Sequence, residues 1–136
     1  MRSSVNLVLL LSSLLLCQQS AAWEEGEDYD INLECNGLPK AGADSLLVRT
    51  RPHDGSFGPP SLVGIKDGKT LWSESFPKID EVNTATLEVF CKNKKIKLGY
   101  RNPMSKFWVI NEFTWDGKAI RFSKNIISEN YNVLRK

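Results

Sequence analysis

From Tyr29 onward, apolar and polar side chains alternate with a period of two, the spacing of strands half-buried against a core. Tyr29, Ile31, Leu33 and Cys35 fall on one side and Asp30, Asn32 and Glu34 on the other, which delivers Cys35 to the inner face. Asn36, Gly37, Pro39 and Gly42 then form a loop, and Leu46, Leu47 and Val48 mark a second strand over 44–51. Three hairpins follow. Asp67-Gly68 joins 61–66 to 69–75, and Asp116-Gly117 joins 107–115 to 118–124. Asp-Gly suits a two-residue turn in which both central positions need φ > 0. In the later hairpin that register places Val109, Phe113, Trp115, Ile120 and Phe122 on one face and sets Glu112 opposite Arg121 as a cross-strand ion pair. The middle hairpin joins 84–91 to 94–101 across Lys92-Asn93. There Leu87, Val89, Cys91, Ile96 and Leu98 face inward, and Glu88 stands opposite Lys97.

No amphipathic helix is evident, and 126–134 fits a short helix or a last strand equally. The pattern therefore predicts an all-β fold, an antiparallel β-sandwich or flattened barrel of about eight strands. Trp72 falls too far after Cys35 to be the tryptophan packed on an immunoglobulin bridge. No repeat of solenoid or propeller length stands out.

A different pattern occupies the N-terminus. Arg2 precedes an apolar run over 7–16, broken by Ser12 and Ser13, and Ser20, Ala21 and Ala22 supply the small residues of a cleavage site. These are the parts of an export signal, and the run is shorter than the roughly 20 residues a membrane-spanning helix requires. The expected organisation is a signal peptide over 1–22, an acidic lead-in over 23–30 and a single β-domain over 31–136. An apolar run ending in Cys17 resembles a bacterial lipoprotein site, but such sites carry a small residue where this chain has Leu16. Cleavage near Ala22, giving a secreted or periplasmic protein with no transmembrane span, is preferred over a lipid anchor at Cys17.

Export changes the meaning of the cysteines. Two remain after cleavage, Cys35 and Cys91, and an even pair in an oxidising compartment points to a disulfide. Closing that loop restricts the unfolded chain by roughly 4 kcal/mol in the entropy model. A structural metal site wants about four ligands, and His53 is the single histidine, so neither a metal nor another cofactor is expected. Charge is nearly balanced overall, with 18 basic and 16 acidic residues, but Glu24, Glu25, Glu27, Asp28 and Asp30 crowd the lead-in. Setting these five and Arg2 aside leaves 17 basic and 11 acidic residues, a net +6 on the body. Such a body is attracted to anionic surfaces.

Two places concentrate that charge. The Pro- and Gly-rich segment 49–60 carries Arg49, Arg51 and His53, a set that suits an ordered loop, an anion contact or phosphodiester cleavage. Acid–base catalysis needs a second titrating group within reach, and nothing in the chain fixes one. Lys92, Lys94, Lys95, Lys97 and Arg101 form the densest basic cluster, and Lys95, Lys97 and Arg101 share the outward face of one strand. That stripe suits an anionic polysaccharide, a lipid surface or an acidic protein; it equally suits an edge protected against aggregation. Nucleic acid is not expected, because it would want aromatics interleaved for stacking and the export compartment argues against it. Trp115 belongs to the core by parity, whereas Trp108 falls with Glu112 on the opposite face, where an exposed ring would stack on sugars. No nucleophile elbow, phosphate loop, zinc-protease helix or calcium loop is present.

The segments 86–91 (Thr-Leu-Glu-Val-Phe-Cys), 96–98 (Ile-Lys-Leu) and 113–118 (Phe-Thr-Trp-Asp-Gly-Lys) together resemble small periplasmic lysozyme inhibitors, β-barrels with a Cys-ended strand and successive hairpins. The likeness covers about 35 residues and consists of hairpin pattern. The family's Ser- and Gly-rich inhibitory loop ending in Tyr has no counterpart beyond 127–131, and no second Cys follows. Membership is not inferred. The preferred expectation is an exported, non-enzymatic binding or interaction module. The alternatives are a small ribonuclease-like secreted hydrolase using Arg49, Arg51 and His53, and a lysozyme-inhibitor-like or structural envelope component.

Overall fold

The computed structural model describes residues 27–53, 56–79, 86–101 and 106–136; the expected signal peptide, Cys17 and Trp23 lie outside them. The strands are β1 (Tyr29–Leu33), β2 (Ser45–Thr50), β3 (Pro52–His53), β4 (Ser56–Phe57), β5 (Ser61–Lys66), β6 (Lys69–Ser75), β7 (Thr86–Lys92), β8 (Lys95–Arg101), β9 (Trp108–Trp115) and β10 (Ile120–Ser128). A 3₁₀ turn over Tyr131–Arg135 ends the chain. Two four-stranded antiparallel sheets, ordered β1-β2-β5-β6 and β10-β9-β8-β7, pack together, as the alternation predicts, while β3 and β4 form a small separate ladder.

The core lies between the sheets. Leu33, Leu46, Val48 and Leu62 from the first sheet meet Leu87, Ile96, Leu98, Phe113 and Trp115 from the second. Cys35 and Cys91 are joined across this interface, Cα atoms 5.3 Å apart. Trp72 stacks on Trp115 with ring centroids 5.0 Å apart. The two indoles donate to Ala41 O (3.2 Å) and Pro39 O (2.7 Å), so they hold the loop after Cys35 against the end of the sandwich. Gly64 lies under the Trp72 ring, where any Cβ would collide with it.

The hairpins explain both what was legible and what shifted. Asp67 and Gly68 both have positive φ, and Lys66 pairs with Lys69, as expected of a two-residue Asp-Gly turn. The middle turn sits one residue later than expected. Asn93 and Lys94 are its positive-φ residues, Lys92 pairs with Lys95, and Gly99 rather than Lys97 stands opposite Glu88. Because the register sum changes by two, the inward set of Leu87, Val89, Cys91, Ile96 and Leu98 is preserved. The last hairpin has a four-residue connection, since Ile120 pairs with Trp115. Asp116 Oδ1 accepts from the backbone N–H groups of Lys118 and Ala119 at 2.8 Å each, and these two bonds hold its carboxyl below the usual carboxylate range.

The longer connection shifts the partner of Glu112 from Arg121 to Ser123, and a bulge between Phe122 and Lys124 then moves it on to Lys124. The ambiguous segment 126–134 is both things in turn: β10 runs to Ser128, and the 3₁₀ turn follows, with Asn130 Oδ1 capping Asn132 N at 2.9 Å. Among the described residues no helix is long and apolar enough to cross a membrane.

Candidate anion-binding site

The outer face of the second sheet is not a plain solvent face. Trp108 and Ile110 from β9 form a second apolar cluster with Leu134 of the terminal turn, flanked by Phe90, Ile126, Tyr131 and Val133. Trp108 does have the parity opposite to the main core, but it is buried: its ring lies 5.1 Å from Tyr131, and the Arg101 guanidinium sits 5.6 Å over it. It therefore offers no exposed platform for a sugar. The turn is seated by Leu134, which packs against Gly99, and by Tyr131, whose hydroxyl donates to Glu88. That bond is the main cause raising the Tyr131 pKa above its ordinary value.

Next to this cluster the sheet carries charge. Glu112 is buried, its side chain 3% exposed, and accepts from Ser123 Oγ at 3.3 Å. Lys95 Nζ lies 3.2 Å from one carboxylate oxygen and Lys124 Nζ 3.9 Å from the other. Lys97 is also buried, and its ammonium donates to Val133 O at 3.3 Å. Burial pushes the Lys97 pKa down, Glu112 opposes that, and the neighbouring lysines 124, 95 and 92 add to the depression. With Lys92 and Lys136 these groups line a hollow of about 300 Å³, bounded by Ile126 and Val133. Among the described residues five lysine side chains and one acidic side chain line it, so the hollow is electropositive.

The expected stripe of Lys95, Lys97 and Arg101 is thus rearranged. All three keep the outward parity, but the terminal turn covers Lys97, and Arg101 lies over Trp108, away from the other two. In their place the fold gathers Lys92, Lys124 and Lys136 around Lys95. Lys124 was not legible because, without the bulge, its parity would match that of Phe122 and point it inward. Lys136 arrives through the terminal turn, which no pairing pattern announces.

The other candidate cluster is engaged elsewhere. Arg49 makes a bidentate pair with Asp30 (Nε to Oδ1 2.8 Å, NH2 to Oδ2 3.1 Å) and donates to Thr70 Oγ1 at 3.0 Å. The hydrogen bonds it donates to Asp30 are the main cause raising the Arg49 pKa. Arg51 pairs with Asp28 at 3.2 Å. Acids of the lead-in therefore neutralise the two arginines on the outer side of the first sheet. Thr50 Oγ1 to Gly58 O (2.6 Å) and Gly58 N to Arg51 O (2.8 Å) close the excursion that carries β3 and β4. The His53 side chain lies outside the described residues.

A second, larger hollow of about 960 Å³ opens at the sandwich edge beside the disulfide. Its walls include Glu34, Asn36, Lys40 and Asp44 from the first sheet's end, and Lys92, Asn93 and Lys94 from the middle turn. Among the described residues no group of three His, Cys, Asp or Glu side chains converges to hold a metal ion. No family model matches the chain, and neither the curated proteins nor the solved structures contain a match to it.

Proposed function

We propose that the protein is an exported, non-enzymatic binding module that engages an anionic partner through the lysine hollow on the outer face of its second sheet. The observation that carries this reading is the convergence of Lys92, Lys95, Lys97, Lys124 and Lys136 around Glu112, the one acidic side chain among the described residues of the hollow. Three of the five come from one hairpin, one from the far side of a bulge and one from beyond the terminal turn. Like charges gathered this way oppose folding, and an anion at their centre relieves that repulsion.

Retention on immobilised heparin, read across a salt gradient, tests the reading. Lys92→Gln, Lys124→Gln and Lys136→Gln together leave Lys95 beside the buried Glu112, so the fold is retained. The triple variant is expected to elute at lower salt, with affinity for the polyanion reduced about tenfold or more. Elution at the wild-type position from a folded triple variant overturns the reading.

A further inference from the structure

The two hollows are neighbours. Lys92 and Asn93 line both, so the β7–β8 turn is the wall between them. On one side of it stand Lys95, Lys97, Lys124 and Lys136, and on the other Lys40 and Lys94. Ion pairs do not engage Lys40, Lys92 or Lys94 among the described residues. The Lys94 side chain reaches the loop after Cys35, its Cε within 3.1 Å of where a Cβ on Gly37 would stand, which places its charge over the larger hollow. Positive charge thus continues from one hollow, across the turn, into the next. Volumes of about 300 and about 960 Å³ both lie within the usual span of ligand pockets, about 300–1,000 Å³.

The chemistry between the lysines narrows the occupant. Glu34, Asp44, Asn36, Asn93 and Ser45 are interspersed with them around the larger hollow. A chain of phosphates alone would meet the Glu34 and Asp44 carboxylates with nothing to donate. A chain that alternates anionic groups with hydroxyls would satisfy both kinds of group. Aromatic side chains do not line either hollow among the described residues, which removes the stacking that single-stranded nucleic acid relies on. A bilayer is flat, and two concavities either side of a protruding turn do not fit it.

We propose, resting on the function proposed above, that the two hollows form one track for a linear acidic polysaccharide. Its sulfate or carboxylate groups meet lysines on both sides of the Asn93-Lys94 turn, and its hydroxyls donate to Glu34 and Asp44.

Heparin-derived oligosaccharides of defined length, titrated calorimetrically into the full-length exported protein, test the track. Affinity is expected to rise about tenfold or more from disaccharide to octasaccharide, as the second hollow is engaged at high effective concentration. Lys40→Gln with Lys94→Asn should remove that gain and leave disaccharide binding unchanged; asparagine keeps the left-handed backbone of position 94 accessible. Lys124→Gln with Lys136→Gln should weaken oligosaccharides of every length. A length gain that survives in the Lys40/Lys94 variant, or affinity independent of length, overturns the track while leaving the single-hollow reading in place. Binding to phosphatidylserine vesicles without binding to any oligosaccharide overturns the polysaccharide assignment. Absence of binding to every anionic probe overturns both.

Discussion

Glu112 decides what the outer face of the second sheet is. Its carboxylate is buried yet sits between Lys95 and Lys124, with Lys97 beside it. Replacing it with Ala leaves the lysines repelling one another and Ser123 without its acceptor. The expected cost is about 1–3 kcal/mol, and because the lysines reach solvent, the cost should shrink as salt screens them. Urea unfolding of Glu112→Ala at low and high ionic strength checks both statements.

Lys97 gives a second prediction, with the opposite chemistry. Its folded-state pKa is lowered, so the charged form costs the fold stability at neutral pH. Between that lowered value and the ordinary lysine value of 10.5, the unfolded chain holds more protons than the folded one, and stability rises with pH. Wild type should therefore gain on Lys97→Met when unfolding midpoints are compared from about pH 8 to about pH 10, near the ordinary lysine range; a constant difference contradicts the assignment. That Lys95, Lys97 and Arg101 share one parity was legible in the sequence. That Lys97 is covered was not, because burial there comes from Val133 and Leu134, more than thirty residues further along the chain.

At the scale of the element, the terminal turn is a cover seated by one close fit. Leu134 is fully buried against Gly99, and a methyl at position 99 would fall inside van der Waals contact with it. Gly99→Ala should overpack this contact and cost about 1–3 kcal/mol, and Leu134→Ala should cost about 2–5 kcal/mol through the cavity it leaves. The double variant is expected to be more stable than the two single costs predict, because the smaller residue makes room for the new methyl. Strict additivity would show that Leu134 is not what Gly99 accommodates. Reddening of Trp108 fluorescence in Gly99→Ala would report the cover, Tyr131 included, lifting from the Trp108 ring.

The strands themselves were written in the alternation and the turns in Asp-Gly, since both are local. The face that β9 turns outward shows why the second cluster was missed. Trp108, Ile110 and Phe113 are apolar on both parities, a two-sided strand whose second cover is supplied only by tertiary packing. The bulge at Phe122/Lys124 escaped for a related reason: it redirects Lys124 toward Glu112 without any glycine or proline to mark it.

For the whole molecule, the bond between Cys35 and Cys91 ties the two sheets at the edge where β1 and β7 approach, across 56 residues of chain. Both cysteines were legible as a pair because Cys91 falls on an inward position of β7 and Cys35 continues the inward parity of β1 two residues past its end. The residues between them include all of β2, β5 and β6, so the link restrains most of the first sheet relative to the second in the unfolded chain. Removing it with Cys35→Ala and Cys91→Ala together, which avoids a free thiol, should cost about 2–5 kcal/mol. Both cysteines also line the larger hollow, so the same double variant separates stability from binding. If the bond serves only to restrain the unfolded chain, the variant should unfold at lower urea yet bind long heparin oligosaccharides as wild type does under conditions where both are folded. A weaker octasaccharide with an unchanged disaccharide would show instead that the bond also holds the walls of the larger hollow in register. An unfolding midpoint equal to that of wild type, with alkylation-coupled mass confirming the bond in the parent, would contradict the restraint itself.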